Sequence, residues 1–364
     1  MILVALLISP ACPAVAEDAL PAPLVHPPAN DPMRREWGYT AGDAERLFGS
    51  SVRRGHSRES ILEGTYWDFR PLVTSDTLFA YQRDTKKLSW RYDPQDQVIL
   101  NPTITLGGGR IYFLQVPAPQ TEETGRIRID KALDLEARLV ALDAESGELV
   151  WEHAVDYAAI EHHLYALYQN PILVTVGSRN QATDEQDKGE QDKDEVWYDL
   201  HAYDANTGNL LWEQSQNNRT DAGGDHGEQD HHPVLVGNRL FVEPFAYDLQ
   251  SGKPLPDWQW QRGHRHGCGT VSASANAFFF RDSNAAMFDL RDQTHSRVTQ
   301  VSRPGCWINM IPAGGLLLVP EASSGCTCNF ALQTSMAFRP VRAEPAHKSS
   351  SANKNERPQV AAPK

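Results

Sequence analysis

The chain lacks any run of apolar residues long enough to cross a bilayer as a helix, so a transmembrane segment is excluded. It is short of positive charge: 34 Lys and Arg stand against 47 Asp and Glu, giving a net charge of -13. No Lys/Arg cluster is interleaved with aromatics, which argues against nucleic acid or an anionic membrane surface as partner. There is no Gly-x-Ser-x-Gly elbow for a serine nucleophile. Nor is there a Cys-x-x-Cys pair for zinc or a Cys-x-x-Cys-His for covalent haem.

What the chain does have is a thirteen-residue phrase stated twice, at 139–151 (LVALDAESGELVW) and 200–212 (LHAYDANTGNLLW). Alternating apolar residues predict a strand, the Asp and the Ser/Thr-Gly pair a tight turn, and the residues ending in Trp a second strand. The Asp carboxylate can accept hydrogen bonds from turn amides, and Gly147 and Gly208 supply a positive φ. A weaker copy runs from Leu78 to Trp90, so that Trp90, Trp151 and Trp212 fall 61 residues apart. A fourth copy opens at Ala246-Tyr247-Asp248 with Ser251-Gly252, and a fifth at Met287-Phe288-Asp289. Strand-rich units repeating at such periods predict the blades of a propeller.

The phrase Ala-x-Asp-x-x-Thr-Gly-x-x-x-Trp resembles the PQQ-like repeat. That repeat is the blade signature of quinoprotein alcohol dehydrogenases and of the outer-membrane assembly lipoprotein of Gram-negative bacteria. The resemblance covers most of residues 65–300. It implies an all-β fold, a β-propeller of four-stranded antiparallel blades, with Trp90, Trp151 and Trp212 docking between adjacent blades. It implies no reaction, because such a fold hosts both enzymes and scaffolds. The spacings give five or six units, fewer than the quinoprotein relatives use. Either the ring is small or blades are missing at the N-terminus, and the atypical leader favours missing blades.

The domains follow from composition. Residues 1–16 have the apolar core and the Ala14-Val15-Ala16 cleavage site of a signal peptide, without a basic n-region. Export to the periplasm, the cell envelope or the medium is therefore expected. Residues 17–64 form a Pro/Ala-rich leader and an irregular lead-in, 65–341 the propeller, and 342–364 a disordered tail. Two excursions, 117–136 and the acidic 184–195, interrupt their blades before the last hairpin, so both should emerge on one face, where a ligand would meet the ring.

Chemistry-bearing residues gather towards the C-terminus. Leaving aside Cys12 in the leader, all cysteines (Cys268, Cys306, Cys326 and Cys328) lie within 61 residues. In an exported protein such a set predicts two disulfides, and because a Cys326–Cys328 ring would be strained, Cys268 and Cys306 are each expected to pair with one of the other two. The alternative is a copper or zinc site built from His264, His266 and Cys268, which alternate on one face of a strand, completed by Cys326 or Cys328. The loop 221–232, rich in Asp, His and Gly, reads as a polar connection between blades, with calcium or a transition metal as its sharper alternative.

Quinoprotein relatives hold PQQ between a Trp and a disulfide of adjacent cysteines, beside calcium. No two cysteines here are adjacent. The sequence therefore favours an exported, non-catalytic propeller that binds a protein, glycan or other envelope ligand, over an oxidoreductase that uses PQQ or a metal.

Overall fold

The computed structural model describes residues 35–53, 71–118, 126–128, 133–134, 136–161, 163–181, 195–217, 232–262, 269–302, 304, 310–321 and 334–340. These form a six-bladed β-propeller. The first blade orders strands β1 (Arg35–Gly42), β2 (Arg46–Arg53), β4 (Thr77–Gln82) and β5 (Leu88–Tyr92), while β3 (Pro71–Ser75) joins the next sheet. Its two inner strands thus come from the stretch that composition assigned to the lead-in.

The second blade runs from β6 (Gln97–Leu100) and β7 (Thr105–Gly107) at the centre, through β8 (Arg110–Pro117) and β10 (Ala137–Asp143), to β11 (Leu149–Val155). On the far side of β6, β3 carries β9 (Arg126–Arg128). The third blade is regular: β12 (His163–Gln169), β13 (Ile172–Gln181), β14 (Glu195–Asp204) and β15 (Leu210–Asn217).

The fourth blade has three strands among the described residues, β16 (Val234–Val236), β17 (Arg239–Val242) and β18 (Phe245–Asp248). The fifth has four, β19 (Ser272–Ala273), β20 (Ala277–Asp282), β21 (Asn284–Asp289) and β22 (Thr294–Arg297). The sixth shows β23 (Ile311–Ala313), β24 (Leu316–Val319) and β25 (Met336–Phe338). Beyond β18 a fourth strand is reduced to one bridge between Tyr247 and Pro254, because Pro254 and Pro256 have no N–H to give to a ladder.

Blades 2 to 5 are each packed against a neighbour on both faces, and this sets the pattern of their strands. In β8, Ile111 and Phe113 face the first blade, whereas Tyr112 and Leu114 face the third. Five apolar clusters fill the five successive junctions from blade 1 to blade 6. The core is therefore a series of interlayers.

The repeated phrase folds as predicted into a hairpin. Asp143 Oδ1 accepts hydrogen bonds from the amides of Glu145 and Ser146 and from Ser146 Oγ. These bonds, the Ser146 amide foremost, hold the carboxyl below the usual carboxylate range. Asp204 and Asp248 cap their turns in the same way. The register shift before the turn also repeats, at Ala80/Tyr81, Ala141/Leu142 and Ala202/Tyr203.

Candidate functional site

Antiparallel order sorts the connections onto two faces of the ring. Turns from first to second strand and from third to fourth leave one face; connections from second to third strand and from blade to blade leave the other. The first face carries tight turns, such as Gly108-Gly109 and Gly237-Asn238. The second gathers the ends that flank 54–70, 118–136, 182–194, 218–231, 263–268, 305–309 and 322–333. The strands bounding the two excursions noted in the sequence, β8/β10 and β13/β14, do end on this same face.

Between blades, each indole reaches one turn ahead. Trp90 Nε1 donates to the Ala144 carbonyl at 3.0 Å, Trp151 Nε1 to Ala205 at 3.1 Å and Trp212 Nε1 to Leu249 at 2.9 Å. Beneath each ring lies the turn glycine of the next blade: a Cβ on Gly147 would stand 2.5 Å from Trp90, and one on Gly252 2.6 Å from Trp212. The equivalent turn positions in blades 1 and 5 are Lys86 and Gln293. They keep a positive φ of 57° and 56° without being glycine. Their preceding blades offer no indole from this repeat position among the described residues, so the glycine is required by the neighbouring Trp as much as by the turn.

The junction of blades 2 and 3 is filled at its core but stays open at its outer rim. Between the outer half of blade 3 and the link Asp156–Ile160 lies a cavity of about 440 Å³, lined by Asp156, Tyr157, Asp199, His201, Glu213 and Ser215 among others. Period-two alternation puts Asp199, His201 and Tyr203 of β14 on this side, while Tyr198, Leu200 and Ala202 pack towards blade 4. Tyr157 closes the inner end, its hydroxyl bonded to Thr175 Oγ1 at 2.7 Å and Tyr203 OH at 2.6 Å. Its ring centroid lies 5.1 Å from that of His201. Burial pulls His201 below the usual imidazole range, against the opposing pull of Asp199 and Glu213. Its Nδ1 is buried without a hydrogen bond among the described residues.

The same positions in blade 2 show what is unusual here. With the repeat aligned, Glu152 corresponds to Glu213 and Arg138 to Asp199. In blade 2, Glu152 Oε1 accepts from Arg138 Nη1 at 3.3 Å and Gln115 Nε2 at 3.1 Å, and Gln115 Oε1 accepts from Tyr92 OH. In blade 3 the cation has become an acid. Asp199 takes Arg179, 2.6 Å away, and Ser215 Oγ, while exposed Glu213 has no hydrogen bond or ion pair among the described residues.

On the other side of β15 lies a groove of about 530 Å³, whose lining includes Gln216, Pro244, Phe245, Tyr247, Pro254 and Gln259. Gln216 is held there by Tyr247 OH at 2.7 Å and by the carbonyls of Val242 and Glu243. Ser215 at the edge of the strand lines both hollows, while Gln216 lines only the second. Nearby, Glu243 accepts from buried Arg262 through the Arg262 amide and Nε, 2.8 Å for the latter, and Arg262 Nη1 donates to the Gly269 carbonyl. The pair fastens both chain ends beside 263–268.

His264, His266, Cys268, Cys306, Cys326 and Cys328 lie outside the described residues, as do Cys12 and 218–231. The cavity was not singled out from sequence. Its signal was present in the alternation Asp199, His201, where the preceding repeat has Arg138, Val140.

The family described as outer membrane protein assembly factor BamB matches residues 65–298. The chain belongs to this PQQ-repeat propeller family. Solved structures similar to it include BamB from Moraxella catarrhalis, at 14% identity over 77% of this chain and 68% of that one, with a TM-score of 0.43. A quinohemoprotein alcohol dehydrogenase from Comamonas testosteroni aligns at 12% identity, covering 84% and 48%, with a TM-score of 0.38. An acylaminoacyl peptidase from Pyrococcus horikoshii aligns at 9%, covering 79% and 43%, with a TM-score of 0.43. The chain spans less than half the length of the last two. No curated protein matches it.

PQQ-repeat propellers include enzymes that carry a quinone beside calcium. Among the described residues no three Asp, Glu, His or Cys side chains converge as a metal requires, and no two cysteines adjoin in the sequence. The described residues do not supply that donor set. Among them, too, no helix is long and apolar enough to cross a membrane.

Proposed function

We propose that the chain is an exported, non-catalytic propeller of the cell envelope that binds a partner protein across the face gathering its long connections. One observation carries this reading: among the described residues one face has tight turns alone, whereas every strand end that flanks a long connection lies on the other, beside the tight turns at Glu243-Pro244 and Ser283. Rigid scaffolds commonly place variable loops where they meet ligands. The family's description as an outer membrane protein assembly factor supports a protein partner of that class. In this reading residues 1–16 direct export, 17–34 form a leader, 342–364 a tail, and Cys268, Cys306, Cys326 and Cys328 form two disulfides.

The test is titration of the purified chain with an outer-membrane β-barrel protein diluted from urea, followed by fluorescence anisotropy. Saturable binding that is lost when 182–194 is replaced by a Gly-Ser linker is expected. No binding, or a visible quinone band with dye-linked dehydrogenase activity after addition of PQQ and calcium, overturns the proposal. Intact mass before and after reduction and alkylation reads the disulfides: four alkyl additions only after reduction are expected.

A further inference from the structure

We propose that the two hollows flanking β15 form one recognition site for an extended partner segment, the acidic cavity taking a Lys or Arg side chain and the groove around Phe245 an apolar one. The inference rests on the reading above, that this propeller binds a protein, and names the segment it would take.

A blade junction in this fold is normally closed, either by apolar side chains or, as in blade 2, by the chain Tyr92, Gln115, Glu152, Arg138 in which the acid has its cation. Blade 3 repeats the acid as Glu213 and replaces the cation by Asp199. Arg179 answers Asp199; Glu213 and Asp156 are left at the exposed mouth without a cation among the described residues. A guanidinium or ammonium entering there would restore the pairing that blade 2 makes internally. At the inner end, the half-buried His201 ring, backed by buried Tyr157, offers aromatic surface on which the stem of a long basic side chain can lie. An organic cation is thus matched in charge and in its need for a flat apolar contact.

The second hollow supplies the spacing. Both hollows share Ser215 on the edge of β15, so a segment laid across that one strand from one to the other spans roughly 10 Å, the spacing of stacked sheets. An extended chain covers that span in about three residues. Pro244, Phe245 and Tyr247 give the groove an apolar floor, so the expected segment has a basic residue and an aromatic or branched aliphatic one three positions apart.

The experiment uses the full chain and three fluorescent decapeptides that differ only in the two anchor positions: Arg-x-x-Phe, Glu-x-x-Phe and Arg-x-x-Ser. Arg-x-x-Phe should bind most tightly, and more weakly as salt is raised. Glu213→Lys and Asp156→Lys, both at exposed positions, should each weaken it about tenfold. Gln259→Trp, which fills the groove mouth, should abolish the preference for Phe over Ser. Equal binding of the three peptides, no binding of any, or indifference to Glu213→Lys overturns the inference. If the β-barrel protein of the preceding test still binds Glu213→Lys with wild-type affinity, this site is wrong and the broader reading stands. If that protein does not bind the wild type either, the broader reading falls as well.

Discussion

Two glycines with nearly the same backbone separate what the turn demands from what the tryptophan demands. Gly109 and Gly147 have φ of 74° and 73°, yet a Cβ at Gly109 would meet nothing within 4 Å, whereas one at Gly147 would stand 2.5 Å from Trp90 Cδ2. Gly109→Ala therefore pays only for left-handed backbone, about 1 kcal/mol. Gly147→Ala carries that same term and must also displace an indole whose ring is anchored to Ala144. Overpacking of this kind adds about 1–3 kcal/mol, so the pair should differ by about 2 kcal/mol. Urea unfolding followed by tryptophan fluorescence measures the difference, with an unchanged m-value as the check that only stability moved. Lys86→Gly serves as a third point: the φ is 57° and the preceding blade offers no indole from the repeat position among the described residues, so relief of strain and added chain entropy should cancel to within about 0.5 kcal/mol. Equal losses for Gly109→Ala and Gly147→Ala would refute the claim that the Trp dictates the glycine.

Other outcomes follow from single groups. Glu243→Gln should destabilise strongly, by about 3 kcal/mol, because Arg262 beside it is almost fully buried and would lose its counter-charge; thermal melts read this. Burial, with the nearby His163 as a smaller cause, drops His232 to about 4, while the Pro233 carbonyl that its Nδ1 faces at 2.7 Å opposes the shift. The folded state thus binds fewer protons than the unfolded one, and stability present above the ordinary imidazole value of about 6.5 should fall as pH drops towards 4. A histidine resonance titrating near 6.5 in His232, assigned by its loss in His232→Gln, would contradict this. Trp151→Phe should lose the bond to Ala205, about 1 kcal/mol in a chemical denaturation midpoint, while leaving the hairpin in place.

The propeller was legible because its unit is local. Thirteen consecutive residues contain both strands of the outer hairpin, the Asp that accepts the turn amides and the glycine that follows, so periodicity and turn chemistry sufficed to read it from 139–151 and 200–212. The first blade was harder. Its inner strands, β1 and β2, close onto β4 across the intervening 54–76, and such pairing leaves no mark in a short window. The reduced edge of blade 4 could be anticipated only from Pro254 and Pro256.

The site shows the same division. Sequence placed its candidates on cysteines and histidines, residue types whose chemistry is recognisable in isolation, and these lie outside the described residues. Asp199, His201 and Glu213 looked like ordinary polar residues of a strand. They became a site only when the third blade was set beside the second and Glu213 stood without the cation that Glu152 finds in Arg138.

By itself, then, the sequence determined the repeating hairpin, the all-β architecture and the Trp that recurs with it, because hydrogen-bonded turns and period-two burial depend on residues a few positions apart. Which junctions closed and which stayed open was decided only by the tertiary structure. A cavity depends on charges and volumes brought together from separate strands and a connecting link, and no local pattern of the chain records whether they balance.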